Sequence, residues 1–140
     1  MSESSFYISE IVFGDDGYVV VTNGSTNPAD PDGLELCQFP EYPDVPAGMV
    51  EAGGSVQVPG ADLGGLFNDA GEVALYTIPE YENPDAVAGY VQWGNADHKR
   101  AEPAVAGGVW PDNAFVEAKG SAKMTAAGPE AKSPDAWTVS

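Results

Sequence analysis

The chain carries one histidine, one cysteine and 22 acidic residues from which a reactive centre might be built. His98 lies in Asn95-Ala96-Asp97-His98-Lys99-Arg100, a polar loop. A Ser-His-Asp or Cys-His arrangement would have to use this one imidazole as its base. No Gly-x-Ser-x-Gly elbow accompanies it, and Cys37 falls on an expected strand, where cysteine behaves as a small hydrophobe. One Cys and one His fall short of the four nitrogen and sulfur ligands of a zinc site. Gly53-Gly54 and Gly64-Gly65 lack the lysine of a phosphate loop and the spacing of a dinucleotide loop.

Carboxylates on loops suit a hard cation, which takes oxygen ligands from adaptable backbone. Asp15-Asp16, Asp30 with Asp32, and Asp62 with Asp69 are the candidates. Calcium is therefore the expected cofactor if there is one, with Asp30, Asp32, Asp15 and Asp16 as ligands. Asp30-Pro31-Asp32-Gly33 lacks the full D-x-[DN]-x-[DN]-G pattern and its distal Glu, and ordinary Asp-Gly and Asp-Pro turns account for the same residues. Paired carboxylates can also hydrolyse glycosides, given a cleft of set width. Tyr76, Tyr81 and Trp93, if exposed beside acids, would suit the face of a sugar.

These residues must be positioned by elements that the chain spells as strands. Tyr90-Val91-Gln92-Trp93-Gly94 alternates and ends in Trp-Gly, and Ala104 to Trp110 follows the polar loop. Trp93, Trp110 and Tyr90 are read as structural anchors of the core. Arg100 is read as structural too, with its stem on an aromatic or its charge paired to Asp97 or Glu102.

Phe6–Phe13 and Tyr18–Asn23 are strands around the turn Gly14-Asp15-Asp16-Gly17, which predicts a hairpin. Asn23 to Gly33 is dense in breakers. Leu34 to Gln38 alternates, with Leu34 and Leu36 on one face and Glu35 and Cys37 on the other. Phe39 to Pro46 holds three prolines and is no central strand. Gly54–Val58, Glu72–Ile78 and Val87–Trp93 are further strands, and Leu63 with Leu66-Phe67 is expected to tuck over one end of the core. Phe115-Val116 and Trp137-Thr138-Val139 are late strand pieces. Ser121 to Pro134 reads as a helical turn, a loop or a mobile stretch. No convincing helical period occurs. The expectation is one all-β domain over residues 1–140, an immunoglobulin-like β-sandwich of seven to nine short strands. Its core spans about 6–118, with 119–140 as an extension that adds a last strand at most.

Charge excludes some partners. The net charge is -17, and all five basic residues, Lys99, Arg100, Lys119, Lys123 and Lys132, follow position 98. Nucleic acid needs clustered Lys and Arg, so it is not expected. Anionic membrane surfaces are disfavoured likewise, and no apolar run reaches the ~20 residues of a membrane span. The N-terminus lacks a signal-peptide pattern. The expectation is therefore a cytosolic protein or the mature part of a secreted or surface protein.

Ile8-Ser9-Glu10-Ile11, Tyr18 to Asn23 and Gly33-Leu34-Glu35-Leu36 together resemble the opening of the lamin-tail domain. Gly71 to Tyr76, Tyr90 to Gly94, and Arg100 through Ala104-Val105-Ala106-Gly107 to Trp110 look like bacterial members of that superfamily. The resemblance implies an immunoglobulin-like sandwich that serves as a binding and structural module, without common catalytic residues. It carries over no filament assembly, because the lamin rod is absent. The expected function is a non-catalytic structural or protein-interaction module that self-assembles or sits at a cell surface. The alternatives are a small carbohydrate-active or hydrolytic domain using loop carboxylates, and a calcium-stabilised binding domain.

Overall fold

The computed structural model describes residues 5–140. Eight strands and one short α-helix follow in order: β1 (Phe6–Val12), β2 (Tyr18–Asn23), β3 (Glu35–Cys37), β4 (Ser55–Pro59), β5 (Gly71–Tyr76), β6 (Val87–Trp93), α1 (Ala101–Ala106), β7 (Lys123–Ala126) and β8 (Trp137–Val139). The strands form two antiparallel sheets, one ordered β4-β2-β1-β7-β8 and the other β3-β5-β6. Their apolar faces share one buried cluster, so the architecture is an all-β sandwich.

β1 and β2 form the expected hairpin, with one departure from strict alternation. A period of two starting at Phe6 and Ile8 would turn Glu10 into the core. Between Ile8 and Glu10 the pairing with β2 shifts by one residue, a bulge at Ser9. The bulge reverses the phase, so Ile11 is buried and Glu10 is not. The Ser9 hydroxyl lies 2.7 Å from Thr22 Oγ1 and donates to the Val20 carbonyl at 3.2 Å. At the other end of β2, buried Asn23 fastens the breaker-rich loop. Its amide donates to the carbonyls of Asn27 and Val50, and its Oδ1 accepts from the Ser25 backbone and hydroxyl.

The second sheet is enclosed more fully. Every residue of β5 is buried, because β5 is central and a layer of side chains covers its outer side. Gly71 opposes Trp93 across the β5–β6 pair, and a Cβ on Gly71 would lie 2.4 Å from the indole ring. Leu63 and Leu66 are buried as expected, whereas Phe67 stays half exposed. Cys37 is buried although alternation set it opposite Leu36, because β3 has packed neighbours on both faces.

Three expectations are corrected. Ser121 to Pro134 contains β7, which lies between β1 and β8 inside the larger sheet. Only Met124 of β7 is fully buried, too little apolar signal to read as a strand. The core therefore extends past residue 118 to Met124 and Trp137, and the C-terminal stretch supplies two strands. Phe115-Val116 forms no strand; Val116 makes one parallel bridge to Trp93. Residues 101–106 are helical, a span too short to print a period. Pro103 is tolerated there because the first turn's N–H groups lack helical partners anyway.

Candidate functional site

The loop between Trp93 and Trp110 is held by buried polar groups on the outer side of the smaller sheet. Glu72 of β5 and Gln92 of β6 are direct cross-strand neighbours, and both are buried. Glu72 Oε1 accepts from the Tyr90 hydroxyl at 2.8 Å and from the Arg100 backbone N–H at 2.9 Å. The Tyr90 hydroxyl also lies 3.0 Å from Gln92 Oε1, and the Gln92 amide donates to the Ala114 carbonyl at 2.7 Å. Trp110 Nε1 donates to that same carbonyl. Burial and the neighbouring Glu72 push the Tyr90 phenol far above its usual range, which keeps it a neutral donor. The network ties both ends of the loop to adjacent strands. It needs every member, since a buried polar atom left without a partner is costly.

Trp93, Trp110 and Tyr90 are all buried. Trp93 Nε1 donates to the Phe67 carbonyl, and Tyr90 meets Trp110 edge-on with ring centroids 5.8 Å apart. Arg100 is buried as well, but its partners differ from those nearest in sequence. Among the described residues it forms no ion pair with Asp97 or Glu102. Its guanidinium lies 5.2–5.6 Å from the ring centres of Phe39, Tyr42 and Tyr81. It donates to the Tyr42 hydroxyl and to the Tyr81 carbonyl. The Tyr81 hydroxyl in turn donates a hydrogen bond to the Glu35 carboxylate. The Arg100 cage joins the proline-rich stretch at 39–46, the loop at 77–86 and the root of α1.

Clefts flank α1. One of about 520 Å³ is lined by Gln92, His98, Glu102, Val105, Asp112 and Asn113 among others. Another, of about 460 Å³, is lined by Glu80, Tyr81, Glu82, Asn83, Lys99 and Arg100. His98 Nε2 lies 3.3 Å from the Trp93 carbonyl. Cys37 is sealed in the core, and burial pushes its thiol up to about 11, the reverse of what a nucleophile needs.

The carboxylates proposed as calcium ligands sit on separate turns. Asp15 and Asp16 are exposed at the tip of the β1–β2 hairpin. Asp30 Oδ1 accepts the backbone N–H groups of Asp32 and Gly48, both at 2.9 Å, and these bonds hold its carboxyl below the usual range. This is an Asx turn extended to a second loop. Among the described residues no three His, Cys, Asp or Glu side chains converge as a metal site. The sugar-binding expectation is corrected at two of its aromatics: Tyr76 and Trp93 are fully buried and present no face to a ligand.

Sequence reasoning missed Glu72, Gln92 and which aromatics form the cage. Neither polar residue stands out in the sequence, because the covering of this face comes from residues far away along the chain. Compared with known protein families, curated proteins and solved structures, the chain matches none.

Proposed function

We propose that this chain is a non-catalytic, self-assembling structural module of the lamin-tail-like sandwich type. It joins its partners by strand addition at an edge of the five-stranded sheet. One observation carries the reading. The end strands of that sheet, β4 (Ser55-Val56-Gln57-Val58-Pro59) and β8 (Trp137-Thr138-Val139), hold no charged residue, in a chain of net charge -17. Among the described residues β4 pairs with β2 alone and β8 with β7 alone. Proteins blunt such edges with charges, with proline or by keeping the strand very short; β4 has only its terminal Pro59 and β8 only its shortness. Here the acids lie elsewhere and the two edges are left neutral. The resemblance to lamin-tail domains, themselves binding and structural modules, supports the same reading.

Assembly must overcome like charge on every subunit, so it depends on salt. The screening length falls from about 10 Å at 0.1 M salt to about 3 Å at 1 M. Sedimentation velocity over rising protein concentration is expected to give a monomer at low salt and larger species at molar sodium chloride. A single monomeric boundary at the highest concentration in molar salt would overturn the reading.

A further inference from the structure

We infer that β4 is an isologous interface: two copies of this chain pair β4 to β4, antiparallel, about a two-fold axis through Gln57. The inference rests on the reading of the chain as self-assembling and names the surface and the partner. Its ground is the internal symmetry of the strand. Ser55, Gln57 and Pro59 are exposed, whereas Val56 and Val58 turn toward the core. In an antiparallel pair, residues directly opposite one another lie on the same face of the sheet. With the axis on Gln57, Val56 faces Val58 of the second copy, Ser55 faces Pro59, and Gln57 faces itself. Both core-facing valines then meet a valine. Half-buried Val56, packed against the core from one side, gains a further apolar neighbour on its own face.

Other registers are worse. An axis between two residues would set a core-facing side chain opposite a solvent-facing one, inverting one sandwich against the other. An axis on Val56 or Val58 would shorten the overlap. β8 spans three residues against five in β4, so it offers fewer backbone bonds. Pairing unlike edges, β4 to β8, does not close on itself, whereas like edges close as a two-fold dimer. Charge agrees with this choice. The strand itself is neutral, and the exposed acids nearest in sequence, Glu51 and Asp62, lie beyond its two ends.

Gln57→Cys tests the axis directly. Paired residues in an antiparallel ladder have Cα atoms about 4.5–5.5 Å apart, inside the about 4.4–6.8 Å that a disulfide accepts. Mild oxidation in molar salt is expected to convert Gln57→Cys into a covalent dimer. The wild type stays uncrosslinked, because Cys37 is buried. Thr138→Cys on β8 serves as the comparison and is expected to crosslink poorly. Gln57→Lys, an exposed change that should leave the melting temperature unmoved, is expected to abolish association by sedimentation. Association of the wild type together with crosslinking through Thr138→Cys, or through neither cysteine, would overturn this interface and leave self-assembly standing. Undiminished association of Gln57→Lys would do the same. A wild type that stays monomeric, with no crosslink from either variant, would sink both.

Discussion

The side chains that decide how this protein holds together are those whose polarity conflicts with their burial. Arg100 is the clearest case. A guanidinium taken out of water without a carboxylate has to be stabilised in other ways, and here three aromatic faces and two oxygen acceptors do so. Cys37, beside this cage, gives a measurable consequence. Its thiol ionises near 9 when unfolded and only near 11 when folded. Between those values the unfolded chain has lost a proton that the native chain keeps, so the unfolded state is favoured as pH rises. Stability is expected to be level up to about pH 8 and to fall from pH 9 toward 11. Tyr76, Tyr81 and Tyr90, whose phenols are all pushed upward chiefly by burial, add to the fall above pH 10. Urea unfolding at pH 8, 9, 10 and 11 on wild type and Cys37→Ala checks this. The variant should lack the first part of the decline, and an equal decline in both would show that Cys37 is not its source.

At the scale of elements, the smaller sheet depends on how closely β5 approaches β6. The indole of Trp93 occupies the space above Gly71 where any other residue would carry a Cβ. Gly71→Ala must move the ring or part the strands, and overpacking of this kind costs about 1–3 kcal/mol. Denaturant melts should show that loss with an unchanged m-value, while a Gly71→Ala protein as stable as wild type would mean the ring swings away freely. Most elements were legible from periodicity: β1, β2, β5 and β6 carry enough β-branched and aromatic residues to announce themselves. β7 did not, because Lys123-Met124-Thr125-Ala126 owes its strand conformation to the pairing partners on both sides rather than to its own composition. The Ser9 bulge escaped for a related reason. It exists to reconcile the spacing of Ile8 and Ile11 with a single buried face, and only the partner strand reveals the shift. The Arg100 cage was half legible: an aromatic partner was one of two options, but which aromatics meet it depends on contacts across 58 residues of sequence, as with Tyr42.

For the whole molecule, the dominant quantity is charge. Residues 1–98 carry 17 of the 22 acids and no Lys or Arg, so self-repulsion is spread over most of the surface. Among the described residues the ion pairs are two exposed ones, Lys123 with Glu10 and Lys132 with Glu130, and pairs of that kind contribute little. Salt should therefore stabilise the fold by screening, whatever the cation. Thermal melts in chelator, calcium, magnesium and sodium chloride at matched ionic strength are expected to rise together. A rise specific to calcium would instead reveal an ion site by mass action, and Asp30 and Asp32 would be the first residues to replace.

The position of β7 between β1 and β8 has a consequence for how the chain is made. Glu10 at the start of the sheet pairs with Thr125, 115 residues later. A ribosome delivers the first hairpin early and β7, which flanks it, long afterwards. Throughout that interval one side of β1 has no neighbour, and the nascent chain cannot join β7 to its larger sheet until Ala126 has cleared the exit tunnel. Folding is then a late, chain-spanning event, of the slow kind expected when the decisive contacts are the most distant in sequence.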